Sequence, residues 1–580
     1  MKIKHIFLYL LLAMPSFLLL QSCLKDQEDT FDKPSSERME EYLQAAQDTL
    51  VNAPYGWALD YYPESNQSYG GYAYTIQFTK DHATVRYENK PDDGTETSLY
   101  KMKQDDGPVL SFDSYNTFLH TYATPSDGQY RGKEGDFEFV IDSVGSDLVK
   151  VHGKKSLNTM YLHKLTEPAS DYMAKVVDKG DSFILSEADL QIGGTPYELA
   201  FTDLTNRQVD IYANGQYLTS TAYNFTDKGI RLYQAYTVNG VKVQDINYDD
   251  EKLTMSADNI TSDKLWVSPA VLAELVGNIG TGKNAKTITK TLPHLDQVKV
   301  SCDASWVHVS QSGNKLTIKI DANPDESKVR KTYVTFTNGN YSSQISVTQI
   351  ELSAILGTYE LTMSAYSSDK GDFTNVKTPV TLAYETDENG EQQLYLTISN
   401  DGMTYKFPAI YMQSAQAILL QSGQLLTTYK NYYIGDVFLY ANNQGWTEAS
   451  DHFFDLLTFD ADENGNVITT LNGPLFYTED GQSLEYTGYA VSSIYLEAFS
   501  GYPFTSNNIL GWVDKFSKPN KKTNMTMVKT SSSPAKVTVP AGSEVNGPAF
   551  LKRGIQYRRR YNFDMTNYVV KSQPSRFILK

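Results

Sequence analysis

Alternation of apolar and polar residues with a period of two, broken at short intervals by turn-forming pairs, limits what this chain can fold into. In VDIYANGQYLT the pair Asn214-Gly215 separates two strand-like runs, and in YTVNGVKV the pair Asn239-Gly240 does the same. A two-residue type I′ turn needs positive φ at both central positions, which Asn and Gly accept most easily. Asn338-Gly339, Asn389-Gly390 and Asn464-Gly465 repeat the device. From Gly56 onward, segments such as WALDYY, YAYTIQF, ATVRYE, FEFVI and VKVHG read as strands separated by turn clusters. No long βαβ alternation runs through the chain, so the expected fold is mainly β: several antiparallel sandwich-like or barrel-like domains in series. The 42 tyrosines against five tryptophans agree, because an aromatic ring suits a half-buried pleated face.

Helical signals are few. Ser35-Ser36-Glu37 offers a serine cap and an acid at the positive end of a helix, and Met39, Tyr42, Leu43, Ala46 and Leu50 follow at helical spacing. The predicted N-terminal helix ends before Pro54. Ser268 to Lys286 reads as a short helix followed by a Gly/Asn/Lys linker, which places a boundary near Gly277, and a second boundary falls near Glu351. The expected organisation is therefore an N-terminal β-rich domain over 36–276, a β-sandwich over 277–350, an antiparallel barrel or sandwich over 351–515 and a basic extension over 516–580. Gly357-Thr358-Tyr359 resembles the Gly-x-Trp/Tyr start of small lipocalin-like barrels, which implies an antiparallel barrel or sandwich, a fold that can enclose a ligand cavity.

The first thirty residues indicate location. Lys2, Lys4 and His5 precede an apolar run from Ile6 to Leu20, too short to span a membrane comfortably, which reads as an export signal over residues 1–22. Leu20-Gln21-Ser22-Cys23 resembles a bacterial lipobox, so Cys23 is the expected lipidation site, its thiol carrying diacylglycerol as a thioether. Residues 23–35 then form an acylated tether. Several acyl chains at one terminus satisfy the requirement for stable anchoring, at about 0.8 kcal/mol per buried methylene. Leu24-Lys25-Asp26-Gln27-Glu28-Asp29 resembles the signal that sends Bacteroidetes lipoproteins to the exterior face of the outer membrane.

Composition narrows the chemistry. The only cysteine besides Cys23 is Cys302, so no disulfide framework exists within the chain. A net charge of −18 argues against nucleic acid as a partner. The charge is uneven, with about fourteen basic residues against three acidic ones from Trp512 onward. His-Glu-x-x-His, Gly-x-Ser-x-Gly and P-loop patterns are absent, and the eight histidines never fall at the i, i+4 spacing of a zinc helix. His120, in FLHTY, reads as a packing residue. Asp460 to Gly465 copies the first half of a calcium loop, yet Leu471 occupies the position of the bidentate acid, so the string reads as a hairpin turn. No catalytic residue, metal ligand or cofactor is assigned.

Two segments resemble known families. SSERMEEYLQAAQ, GWALDYYPESNQSYGGYAYTIQFTKD, GPVLSFDSYNTFLH and EGDFEFVI resemble a Bacteroidetes lipoprotein family catalogued as domain of unknown function 4302, over about residues 24–275. That resemblance implies a lipoprotein grouped with SusC/SusD-like nutrient importers and carries no catalytic residue. Residues 286–350 are similar to a BACON domain, an immunoglobulin-like sandwich of surface glycan-processing proteins: Trp306 matches the core tryptophan, Asn323 and Arg330 the turn signature, and Gln349 the closing Val-x-Gln. Sugar recognition needs an exposed ring together with amides and carboxylates. Tyr61, Tyr62, Asn66, Tyr69 and Tyr72 offer that mixture in one stretch, and Trp306 is the further candidate, weighed against a core role.

The functional expectation is a surface-exposed outer-membrane lipoprotein that binds a glycan or peptide, without catalysis, as an accessory to a SusC/SusD-like uptake system. The alternatives are a hydrolase using paired carboxylates from distant segments, or a pure scaffold of an importer. Cys23→Ala should abolish incorporation of a fatty-acid probe in growing cells. Undiminished labelling of that variant would remove the anchor assignment.

Overall fold

The computed structural model describes residues 33–532, except 91–93, 106, 126–130, 239, 368–369, 387–391, 401, 413–416, 422–423, 442–445, 449–452, 462–466, 478–482, 486–489, 502–508, 518 and 520–524. The signal segment, Cys23, Asn239, the Asn389-Gly390 and Asn464-Gly465 turns, most of the Asp460–Gly465 string and residues 533–580 lie outside the described residues.

Helix Ser35–Val51 begins one residue after Pro34 and has no side-chain cap, so Ser35 is its first residue rather than its cap. Ala46 and Leu50 are its buried positions, and the Leu50 carbonyl accepts the Trp57 indole N–H at 2.9 Å. A nine-stranded antiparallel sheet follows, in the order Glu96–Leu99, His82–Tyr87, Tyr72–Phe78, Trp57–Tyr61, Thr159–Lys164, Leu148–Gly153, Glu138–Val144, Pro108–Ser111 and Lys101–Gln104. Its two edge strands are neighbours in sequence, separated by Tyr100. One face holds a tyrosine core of Tyr61, Tyr72, Tyr74, Tyr87 and Tyr122 with Trp57. Burying five phenols requires partners for their hydroxyls: Tyr74 donates to the Phe118 carbonyl at 3.1 Å, and Tyr87 and Tyr122 bond each other at 2.5 Å.

All five residues of Trp57–Tyr61 are buried, and all but Gln77 of Tyr72–Phe78. A strand buried on both faces needs a second layer. Helix Ala169–Ser182 and an eight-stranded closed barrel provide it, and Ala58 and Ala73 join the barrel's core. The barrel strands run in sequence order from Leu185–Ile192 to Ile260–Val267, and the first pairs with the last from Leu185↔Val267 to Ile192↔Ile260. Alternation points Ala188, Leu190, Ile192, Leu199, Val209 and Ile211 inward and fills the interior with side chains. Asn214 (φ 49°) and Gly215 (φ 74°) form the expected two-residue turn between Gln208–Ala213 and Gln216–Phe225.

Helix Pro269–Val276, capped by Ser268 and ended by Gly277, leads into a seven-stranded sandwich. One sheet orders Ile279–Thr281, Tyr341–Gln349, Arg330–Asn338 and Lys299–Ser301; the other orders Lys286–Thr291, Lys315–Ile320 and Val307–Ser312. The hairpin at its tip turns at Gly339 and Asn340, because Asn338 pairs with Tyr341. The expected Asn338-Gly339 turn is thus displaced by one residue.

In the C-terminal region, Gly357–Ser367 pairs with Asp372–Thr386 on one side and Thr526–Ser532 on the other. The path from it through 372–386, 392–400, 403–412, 417–421, 453–461, 467–477 and 526–532 returns to its start, forming a closed ring. Strands Ile509–Ser517, Ala490–Phe499, Tyr432–Ala441 and Leu425–Tyr429 extend the sheet beyond it. Two expectations meet the structure here. Inside the ring the described residues enclose a void of about 20 Å³, lined by Leu361, Leu396, Phe407, Leu457, Met527 and other apolar side chains, about one water's worth of space. The second concerns the basic extension. Residues 516 and 517 complete a strand and 526–532 close the ring, with Met527 between Leu361 and Thr469, so the sheet continues past the expected boundary at 515.

A chain ended at Phe516 should expose the region after residue 351 to protease while residues 33–350 stay resistant. Full protection of that region in the truncated chain would show that strand Thr526–Ser532 is dispensable.

Candidate functional site

The expected aromatic binding loop is the joint between the nine-stranded sheet and the barrel. Tyr61, Tyr62 and Tyr72 are 0%, 2% and 6% exposed, so their rings are unavailable to a ligand. Tyr61 donates to the Asp136 carbonyl at 3.0 Å and accepts the Asp136 N–H at 2.7 Å. Tyr62 packs edge-on against Tyr233 of the barrel at 4.7 Å. Tyr69 is half-buried with the Lys133 ammonium 4.8 Å above its ring. Asn66 alone of the five is exposed, and its backbone and side-chain N–H groups donate to Glu64 Oε1. Gly70 shows why the loop fits: its φ is +77°, and a Cβ there would lie 2.4 Å from the Asn206 carbonyl of the barrel.

Charge locks this joint. Asp60, in the middle of WALDY, accepts from Arg231 Nη1 at 2.9 Å, Asn224 Nδ2 at 3.0 Å and bonds His163 Nε2 at 3.1 Å. Arg231 and Asn224 belong to the barrel. Burial alone would raise the Asp60 carboxyl, but Arg231 and His163 outweigh it and hold it far below its ordinary 3.8. A second cross-pair joins Glu88 of the sheet region to Arg207 at 2.6 Å, with the guanidinium also on the Gly71 carbonyl and between the rings of Tyr72 and Phe225. At Glu88 burial prevails over Arg207 and the carboxyl is raised.

Trp306 is half-buried against the sandwich core, and the Arg330 guanidinium covers its ring at 4.4 Å. Arg330 donates to Gln349 Oε1 at 2.6 Å and to the Asp321 carbonyl at 2.5 Å. Tryptophan, arginine and glutamine thus form one packed ladder, which gives Trp306 a structural role. His120 is buried between Tyr115 and Phe137, with Nδ1 against the Asn116 carbonyl at 2.9 Å.

The cleft lies where the barrel meets the sandwich. Ile184 and Val267 of the barrel share a core with Val271 and Leu272 of helix Pro269–Val276 and with the sandwich interior. Asn338 Nδ2 donates to the Val267 carbonyl at 3.0 Å, Gly339 packs on Trp266, and Tyr341 donates to Glu187. Trp266 Nε1 donates to Asp189 at 2.9 Å. Glu187, Asp189 and Glu198 lie close together there; burial and mutual repulsion raise Glu187 and Glu198. His294, held at φ 49°, bonds the Asp250 carbonyl through Nε2 at 2.5 Å. Beside this joint opens a cavity of about 430 Å³, within the range of ligand pockets. Ile184, Val271, Leu275 and Pro293 give it apolar walls, and Asp181, Ser182, Asp250, Glu251, His294 and Asn314 give it polar ones.

Sequence reasoning missed both features. Asp60 and Arg231 were legible only as charges inside otherwise apolar strand runs. The cleft residues come from separate segments that no local pattern links.

The architecture defines a multi-domain antiparallel β protein with an immunoglobulin-like sandwich at its centre. Residues 27–250 match the family model described as domain of unknown function DUF4302, and residues 296–349 match that of BACON, described as "Putative binding domain, N-terminal". The chain therefore carries a DUF4302 domain followed by a BACON domain. The first match ends at residue 250, whereas the barrel closes only with Thr254–Ala257 and Ile260–Val267. No curated protein matches the chain. Among solved structures, an endo-fucoidan hydrolase of glycoside hydrolase family 107 is similar at 11% identity over 46% of this chain, with a TM-score of 0.13. The alignment spans only 37% of that hydrolase. A protein of unknown function from Bacteroides ovatus is similar at 11% identity over 45% of this chain and 83% of its own, with a TM-score of 0.10. Likeness at this level carries no functional argument.

Arg231→Met strands a buried carboxylate and should lower stability by about 3–5 kcal/mol in denaturant unfolding; a loss below about 1 kcal/mol would contradict the joint. Because Asp60 is depressed, its stabilisation is complete above its unfolded pKa and fades as pH falls through 3.8 toward the lower folded value. Asp60→Asn should therefore flatten the acid limb of the stability profile below about pH 4, and an unchanged limb would rule Asp60 out as its source.

Proposed function

We propose that this chain is a surface-exposed outer-membrane lipoprotein, acylated at Cys23, that binds a nutrient ligand without catalysis as an accessory to a SusC/SusD-like importer. The cleft between barrel and sandwich is its ligand site. The observation that carries this reading is the cleft's construction: apolar walls and several convergent polar groups, drawn from two domains that share one core. Walls fixed by a common core hold their geometry before a ligand arrives, which reduces the ordering cost of binding. The BACON domain's description as a putative binding domain supports the same role, and the lipobox at Cys23 supports the surface placement.

Other carboxylates serve the fold. Asp514 is 3% exposed and accepts from Asn400 and Tyr405, and Asp436 is 1% exposed and accepts the Gln424 N–H.

The test uses the lipid-free chain from residue 24 on glycan and peptide arrays, beside Leu275→Trp. Leu275 is 41% exposed, so tryptophan there fills the cleft without entering a packed core. Ligand capture by the parent and at least a tenfold loss in the variant is the expected result. Capture unaffected by the tryptophan, or co-purification with an importer pair and no ligand capture at all, would replace this reading with the scaffold role.

A further inference from the structure

Charge at the cleft selects its ligand. The acidic side chains lining it are Asp181, Asp250 and Glu251, and neither lysine nor arginine is among the lining residues. Two helices also end there. Asp181 and Ser182 close the fourteen-residue helix Ala169–Ser182, and Leu275 lies in the last turn of Pro269–Val276. The last carbonyls of a helix carry partial negative charge and favour cations. The molecule's own lysines mark both ends: Lys179 Nζ sits 2.7 Å from Asp250 Oδ1, and Lys290 Nζ donates to the Leu275 carbonyl at 3.4 Å. Between these positions run the aliphatic surfaces of Ile184, Val271 and Leu275.

We propose that the cleft takes an ammonium or guanidinium group on an aliphatic stem, with the stem along the apolar wall and the head at Glu251, beside Asp181 and the Asp250–Lys179 pair. The proposal rests on the cleft being the ligand site and adds the ligand's chemical class. The fit follows from two requirements that such a group imposes together. Its methylenes gain from apolar contact while its head stays hydrated or paired, and a wall of one material cannot meet both. A neutral sugar would need an aromatic ring to stack on as well as carboxylates, and no Trp, Tyr or Phe is among the lining residues. A carboxylate ligand would be repelled by the excess negative charge. Lysine or arginine side chains of peptides and free polyamines share this chemistry.

Isothermal titration calorimetry on the lipid-free chain from residue 24 separates the cases, using tri-lysine, tri-alanine, spermidine and a neutral oligosaccharide. The chain's net charge of −18 attracts polycations everywhere, so binding counts only where Leu275→Trp removes it. Tri-lysine binding should be lost in that variant, fall about twofold to fivefold in Glu251→Gln, and weaken as salt rises. Glu251 is exposed, and its isosteric replacement leaves the fold intact. Spermidine binding alone identifies the free amine as the ligand; tri-lysine binding alone identifies the peptide. Salt-insensitive capture of the neutral oligosaccharide, blocked by Leu275→Trp but unchanged in Glu251→Gln, would overturn the cationic class and keep the site. Equal binding of tri-lysine and tri-alanine would overturn it as well. Tri-lysine binding that survives Leu275→Trp would overturn both the class and the site.

Discussion

A carboxylate and a guanidinium buried together, Asp60 and Arg231, set the relation between the first two β layers. Their side chains are 4% and 17% exposed, and although Arg231 also reaches the exposed Asp245 through Nε, the Asp60 carboxylate cannot fall back on bulk water if the layers part slightly. Such a pair adds little net stability over a matched apolar contact, because desolvation offsets most of the attraction. Its consequence is specificity: the pair, with Asn224 and His163 around it, fixes one docking geometry and penalises any other. Glu88 and Arg207 repeat the arrangement close by, since Ala73 pairs with Asp60 and its carbonyl accepts the Glu88 N–H, and the Arg207 guanidinium also lies against the rings of Tyr72 and Phe225.

The barrel also carries a second joint. The barrel held against the sheet presents Ile184, Val267 and helix Pro269–Val276 to the sandwich, and these residues complete its core. Asn338, Gly339 and Tyr341 at the sandwich tip then close on the barrel wall. The cleft is the space that this second joint leaves beside it. Its carboxylates come from the end of one helix and from a barrel turn, and its sandwich residues from two further turns. Its shape therefore belongs to the assembly of domains and to no single one.

The sequence made the strand character plain because alternation is local. LTIKI at 316–320 and TYELTMSA at 358–365 bury every second residue, as a period of two requires. The Asn214-Gly215 turn and the end of the first helix before Pro54 were legible for the same reason. Long-range facts were not. Tyr61, Tyr62 and Tyr72 look like exposed loop aromatics in the string, yet Tyr61 is buried by Tyr122 and Phe139 of its own domain, and Tyr62 and Tyr72 meet Tyr233 and Arg207 of a barrel that lies more than a hundred residues away. Strand Thr526–Ser532 falls in a basic segment, and only its pairing with Gly357–Ser367 shows that it belongs to the ring. Trp306 was legible as a family position, but the Arg330 guanidinium over its ring could be seen only in three dimensions.

If the buried pairs make the nine-stranded sheet and the barrel one cooperative unit, native-state hydrogen exchange on the whole chain tests it most directly. The most protected amides of strands Trp57–Tyr61 and Gly229–Val238 should open with the same free energy and the same denaturant dependence. Barrel amides that exchange through a lower-energy opening, while those of the sheet stay protected, would contradict the account.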